Sequence, residues 1–247
     1  MPDYLTIGGL VLAVVAIVGG SMLEGGHFGS LVQLTALLIV LGGTLAATLV
    51  QTPPAVFMRA IRRVRWAFLP PPGANDATVA RIAEWSTVAR RDGLLGLEAV
   101  ADAEQDPFLR TALQLVVDGN DPAAIRRVLE LDVMMREERE LEAVRVLEAA
   151  GGYAPTVGIL GAVLGLIHVL ENLDDPATLG AGIAVAFVAT VYGVAAANLV
   201  LLPLAGKLRS VVRRQLREME MFVDGIVSVA ELESPRTLTT RLKGYLD

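Results

Sequence analysis

The chain has 247 residues, of which 53% are hydrophobic, and its formal net charge is −6. The apolar residues are collected in long runs, as the hydrocarbon core of a membrane requires. The absence of cysteine excludes disulfides, thiol catalysis and cysteine-based metal sites. Two widely separated histidines, His27 and His168, leave little material for a metal site, and the negative charge argues against a nucleic acid partner. No metal or cofactor is therefore expected.

Four segments are long enough to cross a bilayer, which needs about 20 apolar residues. They cover residues 5–23, 31–50, 153–170 and 179–202, and none contains Lys, Arg, Asp or Glu. The connections between the first two and between the last two are short, so we expect two membrane hairpins. The first segment lacks a basic N-terminal region and its apolar run is too long for a cleaved signal peptide. We therefore expect it to be retained as a span.

The distribution of basic residues predicts the orientation. Thirteen arginines lie between Gln51 and Gly152, eight further Lys or Arg follow Pro203, and neither short loop has any. The positive-inside rule then places the loops outside and both termini in the cytoplasm. Basic clusters follow spans two and four, namely Arg59, Arg62, Arg63 and Arg65, and Lys207, Arg209, Arg213 and Arg214. These clusters either only set the topology or also bind anionic membrane lipid.

The spans divide the chain into a first membrane hairpin (1–51), a cytoplasmic helical domain (52–150), a second hairpin (151–203) and a cytoplasmic helical tail (204–247). The fold class is therefore an all-α membrane protein with four transmembrane helices in two hairpins plus a cytoplasmic helical domain. No strand alternation or nucleotide-binding loop is present in the sequence.

Turn and cap residues outline the cytoplasmic domain. The sequence PPPG at residues 70–73 predicts a stiff linker. Asp76 is expected to cap a helix over residues 77–91, and Asp106 and Asp121, each followed by proline, are expected to cap two more. The last of these helices is amphipathic and runs almost directly into span three.

Small residues line one face of each span of the second hairpin. They are Ala154, Gly158, Gly161 and Gly165 on span three, and Gly182, Ala186, Ala189, Gly193 and Ala196 on span four. Such stripes allow membrane helices to approach closely. They suit packing within one chain, and they equally suit an oligomer or a ring around another helix.

Polar groups in these two spans are few: Thr156, His168, Thr190, Tyr192 and Asn198, with Pro155 opening span three and Pro203 closing span four. Hydroxyls and an amide cannot hold a proton near neutral pH, whereas a proton pathway normally uses an ionisable group inside the membrane. We interpret His168 as an interfacial polar side chain. A proton-carrying carboxylate would have to come from a partner helix, and the absence of a nucleophile–base pair indicates that the chain is not an enzyme.

Three segments carry a resemblance to a known family. They are GGYAPTVGILGAVLGLIHVLENLDDPATLGAGIAVAFVATVYGVAAANLVLLPLAGKL (residues 151–208), GGTLAATLVQ at the end of span two and ARRDGLLGLEA in the cytoplasmic domain. Over nearly its whole length the chain resembles the MotA/PomA flagellar stator family, and most closely its MotC-like branch. The resemblance implies an inner-membrane A subunit, five copies of which surround two MotB/PomB-like B subunits. Each B subunit would contribute a helix with an ion-carrying aspartate, and ion flow would turn the ring against the rotor protein FliG.

The resemblance also implies roles for individual residues. Pro155 and Pro203 match the two prolines that couple ion movement to the cytoplasmic domain. Thr190, in VATVYG, matches the channel-facing threonine, and Thr156 is a further hydroxyl of the ion pathway. Arg90 and Glu98, in ARRDGLLGLE, match the charged pair that meets FliG, and the adjacent Arg91 shares that position. The alternative for these charges is a solvated helix face.

One departure concerns the ion. Sodium-driven members resemble GMIGTLVGL in span three, with a threonine where this chain has Ala162 in GILGAVLGL. A methyl group offers sodium no oxygen ligand, so we expect a proton-driven protein. The alternative function is an energiser channel of the ExbB/TolQ type, although those proteins usually have three spans. A membrane scaffold without ion flux is a third possibility.

Overall fold

The computed structural model describes residues 3–26, 28–171 and 176–246, so His27 and most of the loop after span three lie outside the described residues. The described residues form helices and turns, without a strand. The helices are α1 (Tyr4–Leu23), α2 (Leu34–Gln51), α3 (Pro54–Phe68), α4 (Asp76–Asp92), α5 (Glu98–Ala103), α6 (Pro107–Val117), α7 (Pro122–Glu171), α8 (Pro176–Ala195), α9 (Leu202–Ala230) and α10 (Pro235–Leu242). A π-helix, Ala196–Leu201, joins α8 to α9, and a 3₁₀ turn, Leu94–Leu97, precedes α5.

Four of these helices are long and apolar enough to cross a membrane: α1, α2, the C-terminal part of α7, and the helix that runs from α8 into α9. This confirms the predicted fold class. The first two spans begin and end within three residues of the predicted limits. The orientation of the termini stays a prediction.

Pro155 and Pro203, predicted at the start of span three and at the end of span four, both lie inside continuous helices. Proline removes one backbone donor, and its ring crowds the carbonyl four residues earlier. That carbonyl belongs to Gly151 before Pro155 and to Leu199 before Pro203, where the wider π-helix takes up the distortion. The predicted run of the amphipathic helix into span three is confirmed, since α7 is one helix of 50 residues.

The chain forms two compact units. The first, the membrane unit, contains residues 1–70 and 140–211, and the second, the cytoplasmic unit, contains residues 71–139 and 212–247. The division at residue 70 falls at the predicted PPPG linker. The predicted domain limits at residues 51, 150 and 203 mark where apolar runs begin or end. α2 also ends at Gln51, whereas α7 and α9 continue past residues 150 and 203.

Within the membrane unit, α2 packs on α8. Ala36 and Val40 of α2 are completely buried against Val188 and Ala189 of α8. The Tyr192 hydroxyl fastens the same pair, because it donates to the carbonyl of Leu31 and accepts a 3.2 Å hydrogen bond from the backbone N–H of Gln33. A second cluster joins α3 to α7 through Ala60, Ala143 and Val146.

Within the cytoplasmic unit, large apolar side chains from six helical segments form the core. The fully buried ones are Ile82, Leu97, Leu113, Ile125, Leu129, Met221, Ile226, Leu238 and Leu242. The N-cap of α4 differs from the prediction: Asn75, and not Asp76, accepts from the Thr78 N–H and completes a capping box. Asn75 is the N-cap because its side chain reaches the backbone N–H of the third helical residue, Thr78. Asp106 caps α6 as predicted, and Asp121 accepts from the Ala124 N–H at the start of α7.

Candidate functional site

The small-residue stripes of spans three and four face each other within the chain. A Cβ added at Gly158 would lie 2.9 Å from the Ala189 carbonyl oxygen and 3.2 Å from the Cα of Gly193. A Cβ at Gly165 would lie 2.9 Å from the backbone nitrogen of Ala186. The two backbones are therefore in contact over several turns, which only glycine and alanine permit. Of the two interpretations of the stripes, the structure favours packing within one chain.

The two prolines belong to the same end of this hairpin. Gly151, one turn before Pro155, is buried against Leu202, the residue that precedes Pro203, and a Cβ at Gly151 would approach Cδ2 of Leu202 to 2.6 Å. The helix segments that contain the two prolines are therefore in direct contact. The π-helix before Pro203 was not predicted, although a proline within a long apolar run was the available signal. Such π-turns are frequent at functional positions in helices.

The predicted ion-pathway residues are not all brought together. Thr190 is half-buried beside the contact with Gly158, and its hydroxyl donates to the Ala186 carbonyl over 3.4 Å. Ala162 is also half-buried. Thr156 is exposed and donates to the Tyr153 carbonyl, and it lies two residues, or about 200° of helical rotation, from the buried stripe. Within one chain, Thr156 therefore lies on the side of α7 away from span four.

The remaining polar groups follow the same pattern. The Asn198 amide, in the π-helix, donates to the Val194 carbonyl over 3.0 Å, and His168 is exposed. Hydroxyls and amides that bond their own helix have little capacity left for a proton. Spans three and four thus provide a close-packed apolar wall without a carboxylate.

The second candidate site is the corner between α4 and α5 of the cytoplasmic unit. It contains Arg90, Arg91 and Glu98, all exposed, and Gly93, whose φ of +79° makes the turn that glycine favours. The structure therefore brings the three predicted rotor-facing charges to one corner. An exposed apolar side chain, Leu95, stands between them.

Arg90 and Arg91 have different surroundings. Arg91 forms an ion pair with Asp92 at 2.7 Å, and this hydrogen bond holds the pKa of the Asp92 carboxyl below its usual value. Arg90 instead donates over 2.8 Å to the carbonyl of Leu232, in the turn between α9 and α10. One turn earlier on α4, the Ser86 hydroxyl donates over 2.7 Å to the Glu233 carbonyl. Arg90 thus also holds a turn in place, a role that the sequence did not reveal because its partner is a backbone atom 142 residues away.

The fold and these sites define a multi-pass membrane protein whose second hairpin is closely packed and contains no Lys, Arg, Asp or Glu in its two spans. Comparison with known proteins agrees. Residues 100–221 match the model of the MotA/TolQ/ExbB proton channel family, and residues 7–85 match the model of the motility protein A N-terminal region. The chain belongs to the MotA/TolQ/ExbB proton channel family.

Individual relatives extend over the full chain. Motility protein A of Helicobacter pylori is 35% identical, with 99% of this chain and 95% of that protein covered. Two solved structures, of MotAB from C. jejuni and of the flagellar MotAB stator complex from Bacillus subtilis, superpose with TM-scores of 0.92 and 0.90. Both are 33% identical to this chain and cover 99% of it and 96% of their own chains.

Proposed function

We propose that the chain is the A subunit of a bacterial flagellar motor stator in the inner membrane. Five copies surround two B-subunit helices, protons pass between the ring and an aspartate on each B helix, and the resulting movement acts on the rotor protein FliG. The chain itself is not an enzyme. Both termini and the unit formed by residues 71–139 and 212–247 face the cytoplasm, as the positive-inside rule predicts.

The observation that carries this proposal is a channel-type wall without a carboxylate. Spans three and four contain no Asp, Glu, Lys or Arg, and the Thr190 and Asn198 side chains bond their own helices. A proton pathway along this wall needs an ionisable group from elsewhere. The solved structures that resemble this chain are of MotAB, including a stator complex, and a second protein in such a complex could supply this group.

Two features favour a flagellar stator over an energiser of the ExbB/TolQ type. The chain has four candidate spans in two hairpins, and its first 85 residues include the match to the motility protein A N-terminal model. The exposed charged corner at Arg90, Arg91 and Glu98 offers a surface for a charged rotor protein. Opposite charges across such a surface would steer association and set its register.

The direct experiment is to purify the tagged chain in mild detergent from its native membranes and to identify what accompanies it. We expect a single-span protein with an intramembrane aspartate and a periplasmic peptidoglycan-binding domain, in a complex with five copies of this chain by native mass spectrometry. A partner with a long periplasmic arm that reaches an outer-membrane transporter would instead establish the energiser class. A ring without a partner would contradict the proposed proton pathway.

The proposed ion rests on Ala162, and it is tested separately. Swimming speed in a strain that depends on this stator should follow the proton gradient and should not change with external sodium. Ala162→Thr adds the oxygen ligand that sodium requires, and Ala181→Thr on span four serves as the matched control. Sodium-dependent swimming of the unaltered protein would show that the methyl group at Ala162 does not decide the ion.

A further inference from the structure

Helix α3 connects the end of span two to the start of span one. It begins at Pro54, just after span two ends at Gln51, and the carbonyl of its last residue, Phe68, accepts a 2.8 Å hydrogen bond from the backbone N–H of Asp3. Asp3 caps the start of span one. Because spans one and two form a hairpin, the end of one and the start of the other lie on the same side of the bilayer. A helix that connects these two points runs parallel to the membrane for about 22 Å.

Beneath α3 an apolar groove of about 260 Å³ opens between α2, α3 and α7. Its walls include Leu41, Leu45, Ile61 and Leu147. One buried polar atom belongs to this wall: the hydroxyl of Thr44, a residue only 6% exposed, has no hydrogen-bond partner among the described residues. A buried hydroxyl without a partner is costly, so turning this hydroxyl towards an acceptor in the groove is favourable.

The four arginines of α3 divide into two pairs. Arg63 donates two hydrogen bonds, of 2.6 and 2.5 Å, to the Glu140 carboxylate, and Arg59 lies 3.6 Å from the Glu142 carboxylate. Arg62 and Arg65 are exposed and have no ion-pair partner within the part of the chain that the structure describes. Arg65 lies one turn after Ile61, on the edge of α3 that borders the groove. Two positive charges at the membrane surface are thus left without a counter-charge from this unit.

We infer that this groove binds an anionic phospholipid of the cytoplasmic leaflet. An acyl chain fills the apolar groove, the phosphate lies against Arg65 at its edge, and the Thr44 hydroxyl turns to donate to an ester oxygen, while Arg62 on the outer side of α3 adds to the positive potential. A membrane span of a second copy of the chain would satisfy the groove less well, because the four spans contain no Asp or Glu to neutralise Arg65. This inference rests on the membrane location and orientation given in the proposed function, and neither the ion nor the rotor enters it.

The first test uses tryptophan fluorescence. The chain has two tryptophans, and Trp66 lies on α3 whereas Trp85 is buried in the cytoplasmic unit at 3% exposure. In vesicles, brominated phosphatidylglycerol should quench Trp66 in preference to brominated phosphatidylcholine, with a preference of about five- to thirty-fold in relative affinity for two arginines at the surface. The variant Arg62→Gln/Arg65→Gln should lose this preference.

A matched control tests whether the lipid preference comes from the groove or only from the total positive charge of the protein. The variant Arg127→Gln/Arg236→Gln removes the same charge from exposed positions of the cytoplasmic unit and should keep the preference. The conservative variant Thr44→Val should lower the affinity for phosphatidylglycerol by about fivefold without changing the fold, since it removes only the hydroxyl. Equal quenching by both lipids, or a preference that survives in the Arg62→Gln/Arg65→Gln variant, would overturn the proposal.

The second test identifies the occupant directly. Because the chain contains no cysteine, Ile61→Cys gives a single attachment point for a photoactivatable benzophenone at the groove. Illumination in membranes should produce a covalent adduct with the mass of an anionic phospholipid. A cross-linked pair of chains, in place of the lipid adduct, would show that a second copy covers the groove and would refute the lipid proposal.

Discussion

The contact between spans three and four makes Gly158→Ala the most direct test of the hairpin. The new Cβ would lie 2.9 Å from the Ala189 carbonyl oxygen, and ordinary contact begins at 3.4 Å, so the helices must separate by about 0.5 Å. The neighbouring atoms are backbone, which cannot rotate away as a side chain would. Overpacking of this kind costs about 1–3 kcal/mol. Gly152→Ala is the matched control on the same helix, because a Cβ there meets nothing within 4 Å.

Both substitutions replace glycine by alanine within α7, and each gains about 1 kcal/mol of intrinsic helix propensity. The gain cancels in the comparison, so the expected difference in stability between the two variants is the overpacking term of about 1–3 kcal/mol. Thermal unfolding of the purified proteins in one detergent, followed by circular dichroism, measures it. If Gly158→Ala unfolds at the same temperature as Gly152→Ala, the two backbones are not in contact in the folded protein.

Further predictions concern coupling, the rotor-facing corner and the C-terminus. Pro155→Leu or Pro203→Leu should restore a backbone donor and leave the protein in the membrane but stop motor torque, and normal swimming of either variant would refute the coupling role. Charge reversal at Arg90 or Glu98 should weaken rotor engagement while the ring still assembles; loss of the ring on size-exclusion chromatography would indicate a folding role. Burial, together with a hydrogen bond to Asp224, raises the pKa of Tyr245 to about 12, above its unfolded value of about 10. Stability from this group is therefore complete below pH 10 and lost between pH 10 and 12, and Tyr245→Phe should lose about 1 kcal/mol at pH 8 and flatten that part of the pH profile.

The spans could be predicted from sequence because the signal is strong and local. A run of about 20 apolar residues has few other uses, and residues 5–23 and 31–50 agree with α1 and α2 to within three residues. Pro155 and Pro203 were predicted at the limits of the spans, and hydropathy marks where a helix leaves the apolar layer and not where the helix itself ends. α7 continues without a break from an amphipathic segment into an apolar one. Apolar residues cover one face of the first segment and all sides of the second.

The candidate sites were less predictable because they depend on contacts distant in sequence. The glycine stripes indicated close packing, yet their spacing is the same for a partner within the chain and for one outside it. Only the structure shows that Gly158 packs against Ala189 of the same chain. The hydrogen bond from Arg90 to the Leu232 carbonyl has no sequence pattern at all, because any residue supplies a carbonyl. Leu232 itself carries a positive φ of 55° just after the end of α9, where the N–H groups of Leu232 and Glu233 donate back to the carbonyls of Val229 and Ser228.

Arg90 therefore cannot be interpreted from a charge reversal alone. Its guanidinium holds the turn at Leu232, and a carboxylate at that position would both reverse the surface charge and repel the carbonyl that the guanidinium now binds. The Ser86 hydroxyl supports the adjacent carbonyl of Glu233, so Ser86→Ala loosens the same turn without changing any charge. If Ser86→Ala impairs rotor engagement as strongly as the charge reversal at Arg90, the geometry of the turn is what the rotor requires. If only the charge reversal impairs it, the positive charge of Arg90 is itself part of the contact.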